Sequence, residues 1–213
     1  TQGAHPCHVS LSGDGQLAVA NYTGGNVAVF NLNDDGSLAP SPQIIDHKGL
    51  DTTKTAHAHM AQFTTEGLFV TDLGLDAVKR YQQIDGQFVP GPQPSLSFVD
   101  GAGPRHFTFG KNGQFLYVIN ELNSSLSVFE KDANDDYQEI QNTSTLAADF
   151  EGESFCADIH LSHDGKFLYG SNRGENTIVV IAVDENSGEL SVEGRELVRG
   201  YRPGNFTWAP MVC

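Results

Sequence analysis

Residues 103–123 read GPRHFTFGKNGQFLYVINELN and have the pattern of two strands joined by a tight turn. The dipeptide Asn112-Gly113 is typical of hairpin turns, which need a positive φ angle. The segment QFLYVI at 114–119 is rich in aromatic and β-branched residues and is short enough for a buried strand. The stretch therefore predicts a β-hairpin.

A hairpin returns the chain to the end at which it began. We therefore expect Arg105 and His106, which precede the first strand, to lie near Glu121, which follows the second. An arginine, a histidine and a carboxylate gathered at one end of a hairpin form a candidate cluster for chemistry. The alternative is an ion pair between Arg105 and Glu121 that only braces the sheet.

The same pattern occurs three more times, at residues 5–30, 57–81 and 157–181. In each copy a third strand and a weaker outer strand follow, so one repeat of about 50 residues contains four strands. The glycines of the first turns are spaced by 52, 46 and 52 residues: Gly15, Gly67, Gly113 and Gly165. Repeats of this kind are typical of the blades of a β-propeller.

The predicted fold is therefore an all-β β-propeller of four-stranded antiparallel blades, with about four blades in this chain. The blades are expected near residues 5–45, 57–100, 103–146 and 156–199, and another begins at 202. We expect residues 1–213 to form a single propeller domain that is part of a longer propeller.

Composition narrows the possible partners and the compartment. With 12 basic and 27 acidic residues the formal net charge is −15, which argues against nucleic acid and anionic membrane surfaces as partners. The sequence has no apolar run long enough to predict a membrane span. Three widely spaced cysteines, Cys7, Cys156 and Cys213, fit a reducing compartment better than a disulfide framework, so a cytoplasmic location is expected.

The second repeat opens with His57-Ala58-His59. Alternate residues of a strand point to the same side, so both imidazoles are expected to face one cavity. The two histidines could line a polar substrate pocket, bind a metal or only pack. Two histidines can anchor zinc, but no second His-x-His motif supplies further ligands, and we expect no metal.

The fourth repeat varies the pattern of the third. Asp158 takes the place of the repeated histidine, and His160 is displaced two residues along. Arg173 occupies the position of Glu121 one blade further on, with a solvated loop arginine as the alternative reading, and Arg202 begins the next repeat.

Inner strands of a propeller start on one face, and second strands end on that face, so these residues are expected to ring one mouth of the channel. They are His57, His59, Arg105, His106, Glu121, Asp158, Arg173 and Arg202. Because three arginines and several imidazoles gather in an acidic chain, the pattern predicts an anionic small-molecule ligand held by guanidinium groups. Glu121 is a candidate general base, with an arginine or imidazole stabilising an oxyanion.

These motifs resemble the seven-bladed β-propeller lactonase family, which contains the bacterial type of 6-phosphogluconolactonase and the fungal carboxy-muconate cyclases. The matching pieces include HPCHVSLSGDGQLAVANYTGGNVAVF, HAHMAQF, GPRHFTFGKNGQFLYVINEL and ADIHLSHDGKFLYGSNRGENTI. The resemblance implies hydrolysis of 6-phospho-D-glucono-1,5-lactone to 6-phosphogluconate in the pentose phosphate pathway, with no metal or organic cofactor.

The resemblance also implies roles for individual residues. The family histidine falls on His57 or His59, and the family arginine, glutamate and second arginine fall on Arg105, Glu121 and Arg173. Together with His57 and His59, Glu121 and Arg105 are expected to be catalytic. We expect His106, Arg173, Asp158 and Arg202 to bind substrate. The match at Arg202 is imperfect, because the arginine here precedes Pro203 whereas the family motif has it after the proline.

Two other functions remain open from the sequence. A cyclase of the same family would act on a dicarboxylate muconate, which arginines would also hold. A non-catalytic propeller scaffold is the third possibility, because fold does not dictate function.

Overall fold

The structure is a computed structural model in which residues 1–208 are described. Within that range the regular structure consists of sixteen β-strands, and none of the described residues is helical. Among them there is accordingly no helix long and apolar enough to cross a membrane. Cys213 lies outside the described residues, whereas Cys7 is exposed and Cys156 is buried.

The chain divides into two compact units, Thr1–Pro104 and Arg105–Cys213. The first contains two four-stranded antiparallel sheets. Blade one comprises β1 (Pro6–Leu11), β2 (Gln16–Asn21), β3 (Asn26–Asn31) and β4 (Gln43–Asp46) in that order. Blade two comprises β5 (Ala58–Thr64), β6 (Gly67–Asp72), β7 (Ala77–Ile84) and β8 (Gln87–Ser97), also in sequence order.

The second unit has the same plan. Blade three comprises β9 (Pro104–Phe109), β10 (Phe115–Asn120), β11 (Ser125–Lys131) and β12 (Tyr137–Ser144). Blade four comprises β13 (Phe155–Leu161), β14 (Phe167–Arg173), β15 (Thr177–Val183) and β16 (Leu190–Leu197). The predictions of an all-β chain and of four-stranded antiparallel blades are confirmed.

The hairpin turns form where the sequence predicted them. Gly113 has a φ angle of +72° and Gly15 one of +88°, a region that side chains with a Cβ atom rarely adopt. The glycine of the turn therefore allows the chain to reverse between the first two strands of a blade. The position of the turn also determines which strand ends lie together.

The inner strands begin with irregular pairing. Register shifts occur between Pro6 and His8 in β1, between Ala58 and Met60 in β5, and between Cys156 and Ile159 in β13. A bulge re-aims the side chains beside it, and bulges are common next to functional sites. Two of the residues predicted to form the site, His59 and Asp158, lie within these register shifts.

The core of each unit lies between its two sheets. In the second unit Tyr117, Ile119, Leu126, Leu168 and Ile181 belong to one buried cluster. Burying each such side chain contributes about 1.5–3 kcal/mol, so the sheets form a rigid support for the polar residues at their ends. The first unit has an equivalent cluster that includes Val27, Leu68 and Val70.

The boundaries differ from the sequence prediction at three functional positions. Arg105 and His106 lie inside β9, because that strand begins at Pro104 and the backbone pairs earlier than expected. Arg173 is the last residue of β14 and does not lie in the following loop. Residues 198–208 form no strand, so the segment after Arg202 is irregular over its described part.

Candidate active site

Glu121 is the centre of an ionic cluster in the second unit. Its Oε2 atom lies 2.8 Å from Nε of Arg105 and 2.9 Å from Nη2 of Arg173. The three side chains are largely but not completely buried, with exposed fractions of 18% for Glu121, 11% for Arg105 and 24% for Arg173. A solvent-accessible carboxylate held between two guanidinium groups is thus present where the sequence predicted it.

The backbone positions these three side chains. Glu121 follows the last residue of β10, and its carbonyl oxygen accepts a hydrogen bond from the backbone N–H of Cys156. Arg105 also donates to the carbonyl oxygen of Ala157, and Arg173 donates from Nη2 to that of Cys156 at 2.9 Å. Because each guanidinium binds both a carboxylate and a carbonyl, its direction is fixed before any ligand arrives.

Burial lowers the pKa of Arg105, while the neighbouring Glu121 carboxylate opposes this shift and Arg173 adds to it. The guanidinium remains charged at any physiological pH, because its ordinary pKa is so high. A positive charge in a partly desolvated position can stabilise an oxyanion more strongly than the same charge in bulk water.

A second cluster surrounds Asp158 on β13. Its Oδ1 atom lies 2.7 Å from Nδ1 of His106, and its Oδ2 atom lies 3.0 Å from Nε2 of His160. Burial opposes ionisation of Asp158, yet the hydrogen bonds from the two imidazoles outweigh it and hold the pKa of Asp158 well below its usual range. Asp158 is therefore an anion that orients two histidine rings.

The two histidines differ in environment. Burial lowers the pKa of His106, although the bond to Asp158 opposes the shift, and its side chain is only 6% exposed. The hydrogen bond to Asp158 raises the pKa of His160, whose side chain is 33% exposed. The sequence placed His160 two residues beyond Asp158, on the same side of the strand, but this spacing alone did not assign it a role.

The predicted pair His57 and His59 lies in the first unit. The ring of Tyr22 stacks on His57 with centroids 4.5 Å apart and meets His59 edge-on at 5.8 Å. The two imidazoles therefore both approach one aromatic ring. The backbone N–H of His57 donates to Asp72 Oδ1 at 2.7 Å, which fixes the start of β5.

Sequence reasoning missed a buried network behind that strand start. Asp72 Oδ2 lies 2.7 Å from Nδ1 of His47, and Nε2 of His47 lies 2.9 Å from the hydroxyl oxygen of Tyr81. Both His47 and Asp72 are fully buried. An ionised carboxylate only accepts, so Nδ1 of His47 carries the proton and Nε2 accepts from Tyr81. Burial raises the pKa of Tyr81, which keeps its hydroxyl protonated.

Arg202 is not brought into the Glu121 cluster. Its guanidinium group lies over the ring of Tyr201, 5.7 Å from the centroid, and the residue is exposed. Its backbone has a positive φ of 53°, and its N–H donates to Asn176 Oδ1 at 2.8 Å. The rim predicted from the repeat therefore gathers Arg105, Glu121 and Arg173 but does not include Arg202, because the segment before Pro203 turns instead of entering a strand.

Metal binding needs three or more suitable side chains within reach of one point. Over residues 1–208, His, Cys, Asp and Glu form no such group.

Four-stranded antiparallel sheets that repeat along the chain, with polar clusters at the strand ends, define a β-propeller protein. Residues 1–211 match the family described as Lactonase, 7-bladed beta-propeller, so the chain belongs to that family and the predicted fold class and resemblance are confirmed.

Two curated relatives and one solved structure that are more than 30% identical to the chain are named as lactonases. The chain is 36% identical over 215 residues to the 6-phosphogluconolactonase of Bacillus subtilis, covering 98% of this chain and 61% of that protein. It is 33% identical to the 6-phosphogluconolactonase of Formosa agariphila, covering 98% of this chain and 62% of the relative. The solved periplasmic gluconolactonase of Pseudomonas aeruginosa matches with a TM-score of 0.88 and 34% identity, covering 97% of this chain and 61% of the other. The chain thus spans about three-fifths of the length of these relatives.

Proposed function

We propose that the protein is a lactonase that hydrolyses 6-phospho-D-glucono-1,5-lactone to 6-phosphogluconate. The Glu121 carboxylate, fixed between the guanidinium groups of Arg105 and Arg173, carries this proposal. Hydrolysis of a lactone needs a base for water and a positive group for the carbonyl oxygen. The names of the relatives support the same reaction class.

The reaction is assigned to the cluster as follows. Because Oε2 of Glu121 is engaged by the two arginines, we assign the attacking water to Oε1. Glu121 takes a proton from that water as its oxygen bonds to the lactone carbonyl carbon. The carbonyl oxygen becomes an oxyanion, which Arg105 and Arg173 stabilise. Collapse of this intermediate breaks the bond to the ring oxygen, which receives the proton, and the product is an open-chain hydroxy acid.

The proposal also gives roles to the histidines. His57 or His59 is an alternative base for water, as expected from the sequence. His106 is nearly buried and hydrogen-bonded to Asp158, so we assign it to positioning the strand segment that carries Arg105. The carboxylate of Asp158 is engaged by both imidazoles, and we assign it to their orientation.

The proposed ligand is an anionic small molecule, with neither nucleic acid nor a membrane as partner. We place the reaction in the pentose phosphate pathway and in the cytoplasm, where Cys7 and Cys156 would remain reduced. Fractionation of cells that express the full-length gene product tests the location. Recovery of the protein with periplasmic markers would contradict it.

The lactonase and cyclase reactions are separated by one experiment. The full-length protein is incubated with 6-phosphogluconolactone or with carboxy-muconate, and acid release or loss of muconate absorbance is followed after subtraction of the spontaneous rate. Lactone-dependent acid release supports the proposal, and turnover of muconate alone would replace it with the cyclase. A folded protein inactive on both substrates would favour a binding scaffold.

A further inference from the structure

The carboxylate of Asp158 accepts four hydrogen bonds. Oδ1 accepts from Nδ1 of His106 at 2.7 Å and from the backbone N–H of Ile159 at 3.0 Å. Oδ2 accepts from Nε2 of His160 at 3.0 Å and from the backbone N–H of Phe206 at 3.0 Å. An ionised carboxylate has about four acceptor positions, so these donors account for its capacity. Asp158 therefore orients the groups that donate to it and has little capacity left to accept a hydrogen bond from a ligand.

The same contact fixes the orientation of His160. Its Nε2 atom carries the proton that faces Asp158, so Nδ1 lies on the other side of the ring. The ring also meets Phe206 edge-on, with centroids 4.7 Å apart. With a third of its side chain exposed, His160 can contact a ligand, whereas His106 is nearly buried. In the protonated ring Nδ1–H becomes a hydrogen-bond donor to an anion.

His160 lies along β13 from the Glu121 cluster. Arg105 of that cluster donates to the carbonyl oxygen of Ala157, which is three residues before His160 on the same strand. Three residues of strand span about 10 Å. The two positions are thus separated on the scale of a phosphorylated sugar lactone that is bound along the strand.

The arginines do not account for a distant phosphate. Arg105 and Arg173 each bind Glu121 and a backbone carbonyl, and the proposed reaction assigns both to the oxyanion. The guanidinium of Arg202 lies over Tyr201. A further donor is therefore needed at the other end of the substrate.

We propose that His160, oriented by Asp158, is a further substrate-binding residue that contacts the phosphate group remote from the Glu121 cluster. The assignment rests on the proposed lactonase function. The titratable groups that face the ring are Asp158 on its own strand, His106 across Asp158, and Tyr169 opposite it on β14. The raised pKa of His160, caused by its bond to Asp158, favours the protonated form that this contact needs.

The kinetic test compares His160→Gln with the wild-type full-length protein on 6-phosphogluconolactone and on unphosphorylated gluconolactone. Loss of one hydrogen bond to a charged group should raise KM for the phosphorylated substrate by roughly tenfold or more, with kcat nearly unchanged. KM for gluconolactone should not change. His163→Gln is the matched control, because His163 is an exposed histidine of the turn after β13 and should leave both KM values unchanged. Equal effects on both substrates, or a loss confined to kcat, would overturn the assignment.

A binding test keeps this inference separate from the lactonase proposal. The His160 imidazole signal is followed by NMR during titration with inorganic phosphate and, in a second series, with 6-phosphogluconate. A shift that weakens as the pH rises through the pKa of His160 supports the site even if the protein turns over no lactone. Phosphate binding that calorimetry shows to be unaltered in His160→Gln would refute it. Asp158→Asn should lower the pKa of His160 and therefore move the pH dependence of phosphate binding to lower pH.

Discussion

Replacing Glu121 with glutamine removes the negative charge from between two guanidinium groups while keeping the shape of the side chain. The wild-type oxygen lies 2.8 Å from Arg105 and 2.9 Å from Arg173. The glutamine oxygen can take the Oε2 position and still accept from the guanidinium groups, but it carries no charge, and the amide nitrogen then takes the Oε1 position and cannot accept a proton from water. The variant therefore tests Glu121 both as a general base and as a partner in the ion pairs. The sizes of the losses in kcat and in the free energy of unfolding distinguish the two roles.

The expected loss of stability follows from burial. Removing one partner of a buried ion pair costs about 3–5 kcal/mol, because the other charge remains without compensation. The retained hydrogen bond offsets about 1 kcal/mol of this cost. Since the guanidinium groups are partly exposed and also bind backbone carbonyls, we expect the free energy of unfolding to fall by about 2–4 kcal/mol. A domain of ordinary stability, about 5–15 kcal/mol, remains folded.

The expected loss of activity is larger. If Glu121 takes the proton from water, kcat should fall by about 10²–10⁴-fold, with a much smaller change in KM. The assay is steady-state lactone hydrolysis at a temperature where circular dichroism shows the variant to be folded. An unchanged kcat in the folded variant would remove Glu121 from the mechanism and leave it as a structural ion pair.

Glu66→Gln is the control for this experiment. Glu66 pairs with Arg80 at 3.3 Å in the first unit, and the two side chains have exposures of 25% and 11%, similar to those in the Glu121 cluster. This variant should lose stability without losing kcat. A comparable fall in kcat for Glu66→Gln would show that the activity reports general destabilisation.

Two further variants test other parts of the structure. Tyr81→Phe leaves Nε2 of the buried His47 without its hydroxyl partner, so urea denaturation should show a loss of about 1–3 kcal/mol, and an unchanged midpoint would contradict the assigned network with Asp72. His160→Gln should destabilise more at pH 6 than at pH 9. The bond to Asp158 raises the pKa of His160 in the folded state, so its contribution is complete below the unfolded pKa of about 6.5 and is lost as the pH rises through the folded value. Equal destabilisation at both pH values would argue against a charged His160.

The blades were predictable because their signals are local. The glycine of each first hairpin turn adopts the positive φ that the turn requires, as at Gly15 and Gly113. Once two strands pair in a hairpin, the polar residues at their free ends must lie close together. That geometry predicted the contact between Arg105 and Glu121, which are 16 residues apart in the sequence.

The sequence was less informative where contacts depend on irregular backbone or on loops. The register shift between Cys156 and Ile159 interrupts the regular alternation of side chains along β13. The alternation expected of a strand therefore did not predict that Asp158 would bind both His106 and His160. His47 lies in a connection after β4, where no repeat marks it, and only the folded chain brings it to Asp72. The described irregular segment likewise separates Arg202 from the position that the repeat assigned to it.

Blades one and three use one backbone arrangement for different chemistry. Cys7 occupies the sequence position of Arg105, and its Sγ atom lies 3.6 Å from the carbonyl oxygen of Ala58, just as Arg105 donates to that of Ala157. Tyr22 similarly occupies the position of Glu121.

In blade one these choices produce an aromatic contact, because the ring of Tyr22 stacks on His57. In blade three the corresponding pair becomes an ion pair between Arg105 and Glu121, which Arg173 of blade four completes. The fold supplies a carbonyl acceptor and a neighbouring strand end at both places, and the side chains decide which of them can activate water. A site in this protein is therefore specified by two or three residues at equivalent blade positions, and the blade alone does not specify it.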